Sequence, residues 1–312
     1  MSYLIVSKLS EVKVIIDIFS STPLNTSKRL NFLAWKEAYL LYTGSNVKSP
    51  SLKSKIPAGT SRSPLGRPAS QGEENIQKSL NINRSFEEND LSMSALTRDD
   101  IKITPYWLLG FVEGDGSFFV RKGKSLALRF SIGQSFQARI LLDSIKEYFL
   151  SLPGVAKPTH LDISESGDCK GYSPIKVSIE KPYGGAKPAC RLLISNTTFL
   201  NNVLIPFFDS LEWQSKKELD FIDWKLVGVL INQGKHYLPA GEVIIEKILA
   251  GMNNGRLSTN KKTDAMEKDN SSFKAEVEDL LAAPSNIDVH EKGRIYIKSL
   301  KRYLRGKRVS SY

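Results

Sequence analysis

Thirty-three residues near the amino terminus of this chain occur twice. Shifted by 189 positions, residues 4–36 (LIVSKLSEVKVIIDIFSSTPLNTSKRLNFLAWK) align without a gap on residues 193–225 (LISNTTFLNNVLIPFFDSLEWQSKKELDFIDWK), and 11 positions are identical. Val14/Val203, Phe19/Phe208, Lys28/Lys217, Phe32/Phe221 and Trp35/Trp224 are among them. Self-similarity at one fixed offset means that the same supersecondary unit is built twice. Each copy reads as a strand end, a helix closing on Phe, a turn carrying a lysine, and a second amphipathic helix with Leu, Phe and Trp on one face. The first copy has no counterpart of residues 105–192, which predicts a longer precursor that supplies it upstream of Met1.

The remaining organisation follows from composition. Residues 44–100 are rich in Ser, Pro, Gly, Lys and Asn and poor in aromatics, as in a disordered linker. The expected division is a fragmentary unit over 1–43, the linker, a complete unit over 101–238 and a basic extension over 239–312. With 44 Lys and Arg against 33 Asp and Glu, the formal charge is +11, which attracts polyanions and makes nucleic acid the first partner to test. Two cysteines, Cys169 and Cys190, and three scattered histidines, His160, His236 and His290, argue against a disulfide framework, a four-cysteine zinc site and histidine-centred nuclease chemistry. No apolar run approaches the roughly 18–20 residues of a membrane span, and no secretory or Arg-rich transit peptide is read at the amino terminus. No membrane partner is expected.

The segment that carries chemistry is TPYWLLGFVEGDGSFF, residues 104–119. Thr104 is placed to cap a helix and Pro105 to open it, where a missing N–H costs nothing. Gly110 and Gly114 lie four apart, hence on one face, and leave a smooth strip that another backbone can approach closely. Glycine inside a helix costs about 1 kcal/mol relative to alanine, so two of them imply a packing reason. Glu113 and Asp115 then place carboxylates at the helix C-terminus, where the macrodipole disfavours negative charge. A hard divalent cation bound by carboxylate, carbonyl and water oxygens would meet that need.

On these residues, LLGFVEGDG at 108–116 resembles the LAGLIDADG motif of the homing endonucleases, with Gly110, Asp115 and Gly116 at its characteristic places. The resemblance implies an α+β fold in which an antiparallel DNA-binding sheet packs on helices, with one complete repeat plus a partial one. In that family two such helices pack face to face, from tandem repeats or two subunits, and each brings one acid to the scissile phosphates. Asp115 would then be the metal ligand and Gly114 would lend its carbonyl. Gly110 and Gly114 would form the helix interface, with Glu113 capping the helix base there rather than binding metal. Gln134 takes the place of a polar residue that organises catalytic water. Lys217, and Lys28 in PLNTSK, match a lysine that points into the active site and stabilises developing charge. The strands at 118–135 would lie along the DNA major groove and present Arg121, Lys122, Lys124 and Arg129, with Arg139 nearby. Residues 151–190 read as a Gly- and Pro-rich insertion whose lysines could meet phosphate.

In the extension, 241–252 reads as a helix and 287–297 as a hairpin about Gly293. The end, KSLKRYLRGKR, is expected to be a helix or tail that contacts phosphate through Lys301, Arg302 and Arg305. The implied activity is site-specific hydrolysis of double-stranded DNA with Mg2+ or Mn2+, promoting intron mobility. The missing acid would come from a longer precursor or a second chain, and an organellar gene would place the protein in the mitochondrion. The competing readings are an intron maturase that binds intron RNA without needing a metal-bound carboxylate, and a cleavage-inactive remnant.

Overall fold

The computed structural model describes residues 5–22, 24–26, 28–43, 97–123, 126–155, 173–181, 184, 187–253 and 270–308. The chain divides into two compact units, Met1–Ile103 with Gln137–Ser144, and Thr104–Phe136 with Ile145–Tyr312. No described helix is long and apolar enough to cross a membrane.

The first unit contains α1 (Leu9–Ser21), α2 (Lys28–Tyr42) and a short turn at Arg98–Asp100. Asn25 ties the turn between the helices to the following chain: its amide donates to Lys102 O at 2.7 Å and its Oδ1 accepts from Lys102 N at 3.1 Å. The hydroxyl and backbone N–H of Thr97 both donate to Asp100 in a capping box. The last four residues of the linker expected over 44–100 thus form this capped turn, and residues 44–96 lie outside the described residues.

The second unit starts with α3 (Pro105–Asp115), followed by β1 (Gly116–Arg121), β2 (Ala127–Ser135), the part of α4 (Arg139–Leu150) from Ile145 onward, β3 (Ile175–Glu180) and β4 (Ala189–Ile194). The four strands form an antiparallel sheet in the order β1-β2-β4-β3. A helical stretch over 197–209, α5, contains a π-helical turn at Leu200–Leu204, and α6 (Lys217–Asn232) follows it. β3 corrects the reading of 151–190 as an insertion. Its alternation, IKVSIE, puts Ile175, Val177 and Ile179 opposite Ile194, Leu192 and Cys190, and this pairing carries the strand onto the sheet edge.

One face of the sheet is apolar and lies under the helices. Phe118, Leu128, Phe130, Ile132, Cys190, Leu192 and Ile194 are buried there, as are Leu108, Leu109 and Val112 of α3. At its centre, the Phe118 ring lies 5.1 Å from Phe130, 5.2 Å from Trp224, 5.4 Å from Phe221 and 6.1 Å from both Phe208 and Trp213. Strand, α5 and α6 therefore share one aromatic cluster, whose tilted and edge-to-face contacts add to simple burial.

The duplication holds contact by contact. Phe19 meets Phe32 at 5.6 Å and 67°, and Phe208 meets Phe221 at 5.9 Å and 68°. Lys36 reaches back to Ser20 Oγ, and its counterpart Lys225 reaches back to Asp209 Oδ1. Lys28 N donates to Thr26 Oγ1, and Lys217 N donates to Ser215 Oγ. The environments differ. Trp224 is fully buried and donates its indole N–H to Phe119 O of the sheet, whereas Trp35 is 42% exposed.

The extension packs behind α6 as α7 (Pro239–Gly251), α8 (Asn270–Ala282) and a second antiparallel sheet, β5 (Ile287–His290), β6 (Arg294–Ile297) and β7 (Arg302–Arg308). β7 is a strand where a helix or tail is expected, because Tyr303 and Arg302 pair with Tyr296 and Ile297 and continue the hairpin. The expected helix and hairpin at 241–252 and 287–297 are present. Lys235 pins this extension: fully buried, its ammonium donates to the carbonyls of Leu280, Leu281 and Ala283 at the end of α8. Those carbonyls have no partner inside the helix, so a cation there satisfies both charge and geometry. Buried Asn286 closes the junction, donating to Gly234 O and Ser299 Oγ while its N–H donates to Gln233 O.

Truncating Phe118 to alanine should remove the shared contact of strand and helices and cost about 3–5 kcal/mol of stability. Urea unfolding followed by tryptophan fluorescence measures this directly; a loss below about 1 kcal/mol would contradict the central place given to that ring.

Candidate active site

α3 is built as its sequence demands. The Thr104 hydroxyl accepts from Trp107 N at 3.2 Å, Pro105 opens the first turn, and Leu108, Leu109 and Val112 face the core. The opposite face carries Tyr106, Gly110 and Gly114, which are exposed. A Cβ placed on either glycine would meet no heavy atom within 4 Å. Among the described residues, therefore, nothing offsets the cost of these two glycines, and the strip is bare.

The helix passes into β1 without a loop. Gly116 donates its N–H to Val112 O as the C-cap, and a Cβ on it would sit 2.5 Å from that same oxygen. Only glycine fits at this junction, which holds Asp115 at the mouth of the helix. Asp115 is exposed, and its Oδ2 accepts from Gln134 Nε2 at 2.7 Å. Gln134 lies in β2, not after it, as the residue following Gly133 on the strand that pairs with β1. Sequence and geometry thus bring Asp115 and Gln134 together.

The donors at this helix end are hard oxygens: the Asp115 carboxylate and the last carbonyls of α3, which include that of Gly114. They suit a divalent cation of the Mg2+ or Ca2+ type, which takes about six oxygen ligands. Among the described residues no group of three or more His, Cys, Asp or Glu could hold a metal.

Glu113 points elsewhere. Its Oε1 accepts from Gln214 N at 2.8 Å and Ser215 N at 2.7 Å, in the turn that precedes α6. This corrects its expected place on the helix interface: a side chain one residue from Gly114 emerges on another face of α3, and there it finds two backbone donors. That turn leads to Lys217, whose Nζ lies 3.5 Å from Asp220 Oδ2. Asp220 is buried and also accepts from Asn253 N at 2.9 Å. Lys217 is thus held along α6, and no described contact joins its ammonium to Asp115. Lys28 occupies the equivalent start of α2, in the other unit.

The sheet face away from the core carries Arg121, Arg129, Arg191 and Lys176, by strand alternation and register. Arg191 went unread in the sequence, although ACRLLI directs Cys190, Leu192 and Ile194 inward and leaves it outward. Glu180 aligns it through two contacts, at 2.5 and 3.2 Å. Lys122 leaves the end of β1 and lies 3.4 Å from Glu246. Arg139 is not on this sheet: it opens α4, with its guanidinium 3.6 Å from Asp143. Lys124 lies outside the described residues. In the extension, Lys301 and Arg302 are exposed, and Arg305 lies in β7 with its side chain outside the described set.

No protein-family model matches the sequence. Over 159 residues the chain is 30% identical to the uncharacterised mitochondrial protein RF1 of Saccharomyces cerevisiae, covering 51% of this chain and 33% of that protein. Over 143 residues it is 31% identical to probable intron-encoded endonuclease 3 of Neurospora crassa, covering 43% of this chain and 22% of that one. The chain thus spans a third or less of the length of these curated relatives. Its structure is similar to that of the LAGLIDADG homing endonuclease I-GzeII in complex with its DNA target, with a TM-score of 0.54, 20% identity, and coverage of 80% of this chain and 76% of that one. I-SmaMI bound to uncleaved target DNA in the presence of calcium ions matches with a TM-score of 0.54 and 20% identity, over 80% of this chain and 74% of that one.

Replacing Glu113 by alanine should free the amides of Gln214 and Ser215 and cost about 1.5–3 kcal/mol, the usual worth of hydrogen bonds to a charged group. Hydrogen exchange is the sensitive readout. Unchanged protection of those two amides would mean that the turn is held by other means.

Proposed function

We propose that this chain, which has the fold of the LAGLIDADG homing endonucleases, supplies one catalytic half of a site-specific endonuclease that hydrolyses double-stranded DNA. The observation that carries this reading is the exposed carboxylate of Asp115, held at a glycine-faced helix end beside a sheet whose outer face is basic. The relatives named as intron-encoded endonucleases and the DNA-bound neighbours support it, and the mitochondrial relative supports a mitochondrial location.

Asp115 and the Gly114 carbonyl would hold a Mg2+ or Mn2+ ion together with the matching acid of a second motif. Such a motif would pack on the bare strip of Gly110 and Gly114. Bound there, such an ion would supply Lewis-acid stabilisation of the phosphodiester and an acidified water. Gln134 fixes the orientation of the carboxylate and presents its amide to water at the same edge. Lys217 supplies positive charge near the base of the helix as negative charge develops on phosphate. Arg121, Lys122, Arg129 and Arg191 hold the duplex backbone and base edges along the sheet.

The deciding experiment measures cleavage of an intronless target duplex in Mg2+ by the longest available reading frame, wild type against Asp115→Asn. The substitution keeps the hydrogen-bonding shape and removes the charge. Cleavage should fall by about 100-fold or more, while duplex binding measured by gel shift in Ca2+ stays within a few-fold. Equal cleavage by the two proteins would remove Asp115 from the mechanism. Splicing assistance that survives the substitution, without any cleavage, would favour the maturase reading.

A further inference from the structure

The two faces of the β5-β6-β7 sheet differ sharply. Ile297 is fully buried and Ile287 packs against Gly234, so this face is turned toward the body of the unit. By alternation and register the other face carries Asp288, His290, Arg294, Tyr296 and Tyr303. Three of these are aromatic and mutually in contact: His290 lies 5.8 Å from Tyr296 and 5.4 Å from Tyr303, and the two tyrosines are 5.2 Å apart. Their rings meet at 62–77° and so do not stack flat on one another. The Arg294 guanidinium sits over the Tyr303 ring at 4.6 Å. Tyr303 is 40% exposed and His290 is exposed.

Cross-strand aromatic contacts stabilise a small sheet, and here they also leave ring surface of Tyr303 and His290 open to solvent. Their surroundings define a partner. Residues 287–312 carry eight Lys or Arg against two acids, and one of those acids, Asp288, is paired with Lys298 at 3.0 Å. A basic surface with aromatic and guanidinium planes suits a polyanion that also presents flat π-faces. A duplex hides its base faces in the stack, whereas unpaired nucleotides expose them. The outer face of the larger sheet, by contrast, bears Arg121, Arg129, Arg191, Lys176 and several serines, with Phe119 the single ring among its described strand residues.

We infer that the outer face of β5-β6-β7 is a second nucleic-acid site, which takes unpaired nucleotides by stacking them on Tyr296, Tyr303, His290 and the Arg294 guanidinium. Exposed Lys298 and Lys301 beside them hold the phosphates. The ligand chemistry is common to single-stranded RNA and to a displaced DNA strand. The site stands independently of cleavage: Asp115→Asn leaves it intact.

The test uses the full chain and labelled 12-nucleotide probes of one mixed sequence, as single-stranded RNA, single-stranded DNA and duplex DNA, read by fluorescence anisotropy. Tyr296→Ala with Tyr303→Ala should weaken binding to at least one single-stranded probe about ten-fold and change duplex binding by less than about two-fold. The paired Phe substitutions, which keep the rings, should retain single-strand binding. The single-stranded probe that responds identifies the source, RNA or DNA. Photocrosslinking of a bromouridine probe to the wild-type chain, mapped by mass spectrometry, needs no variant to fold and should label the peptide that contains Tyr296 or Tyr303. Loss shared equally by the duplex, no loss in the alanine pair, or crosslinks confined to other segments would overturn the assignment.

Discussion

Everything in the larger unit that bears on chemistry hangs on the absence of a loop between α3 and β1. Because Gly116 alone can lie against the Val112 carbonyl, helix and strand join rigidly, and the residue between them has no freedom to wander. Phe118, two residues further on, locks that strand into the aromatic cluster with α5 and α6. The exposed carboxylate is therefore carried by one of the most deeply packed pieces of the molecule. A functional group on a rigid mount is placed to within a fraction of an ångström, which catalysis by orientation requires.

Much of this was legible beforehand, for physical reasons that differ from residue to residue. Thr104 and Pro105 announced α3 because caps are local chemistry, needing only the next three residues. The duplication was visible because the two copies use the same side chains for the same contacts, Phe on Phe and lysine reaching back a fixed distance. The resemblance puts Gln134 in the same site as Asp115, whereas a separation of 19 positions by itself says nothing about which strand edge lies beside a helix end.

What escaped notice is long-range or weakly patterned. Glu113 was misplaced because its two partners stand about a hundred positions away, in a turn whose backbone amides no sequence advertises. β3 hides between Gly- and Pro-rich neighbours and is a strand only because β4 offers it an apolar partner. The final strand reads as basic helix or tail from its lysines and arginines; pairing with Tyr296 overrides that local bias. Lys235 gives no hint of its burial, because the three carbonyls that justify it belong to a helix more than 40 residues downstream.

α6 begins at Lys217 and, within three residues of its end, arrives at the buried ammonium that fastens the extension. At 1.5 Å per residue, its 16 residues make a rod of roughly 24 Å. That rod acts as a ruler. It sets a constant separation between the turn that Glu113 holds beside α3 and the buried ammonium that fastens the extension, so the two ends of the unit move as one body.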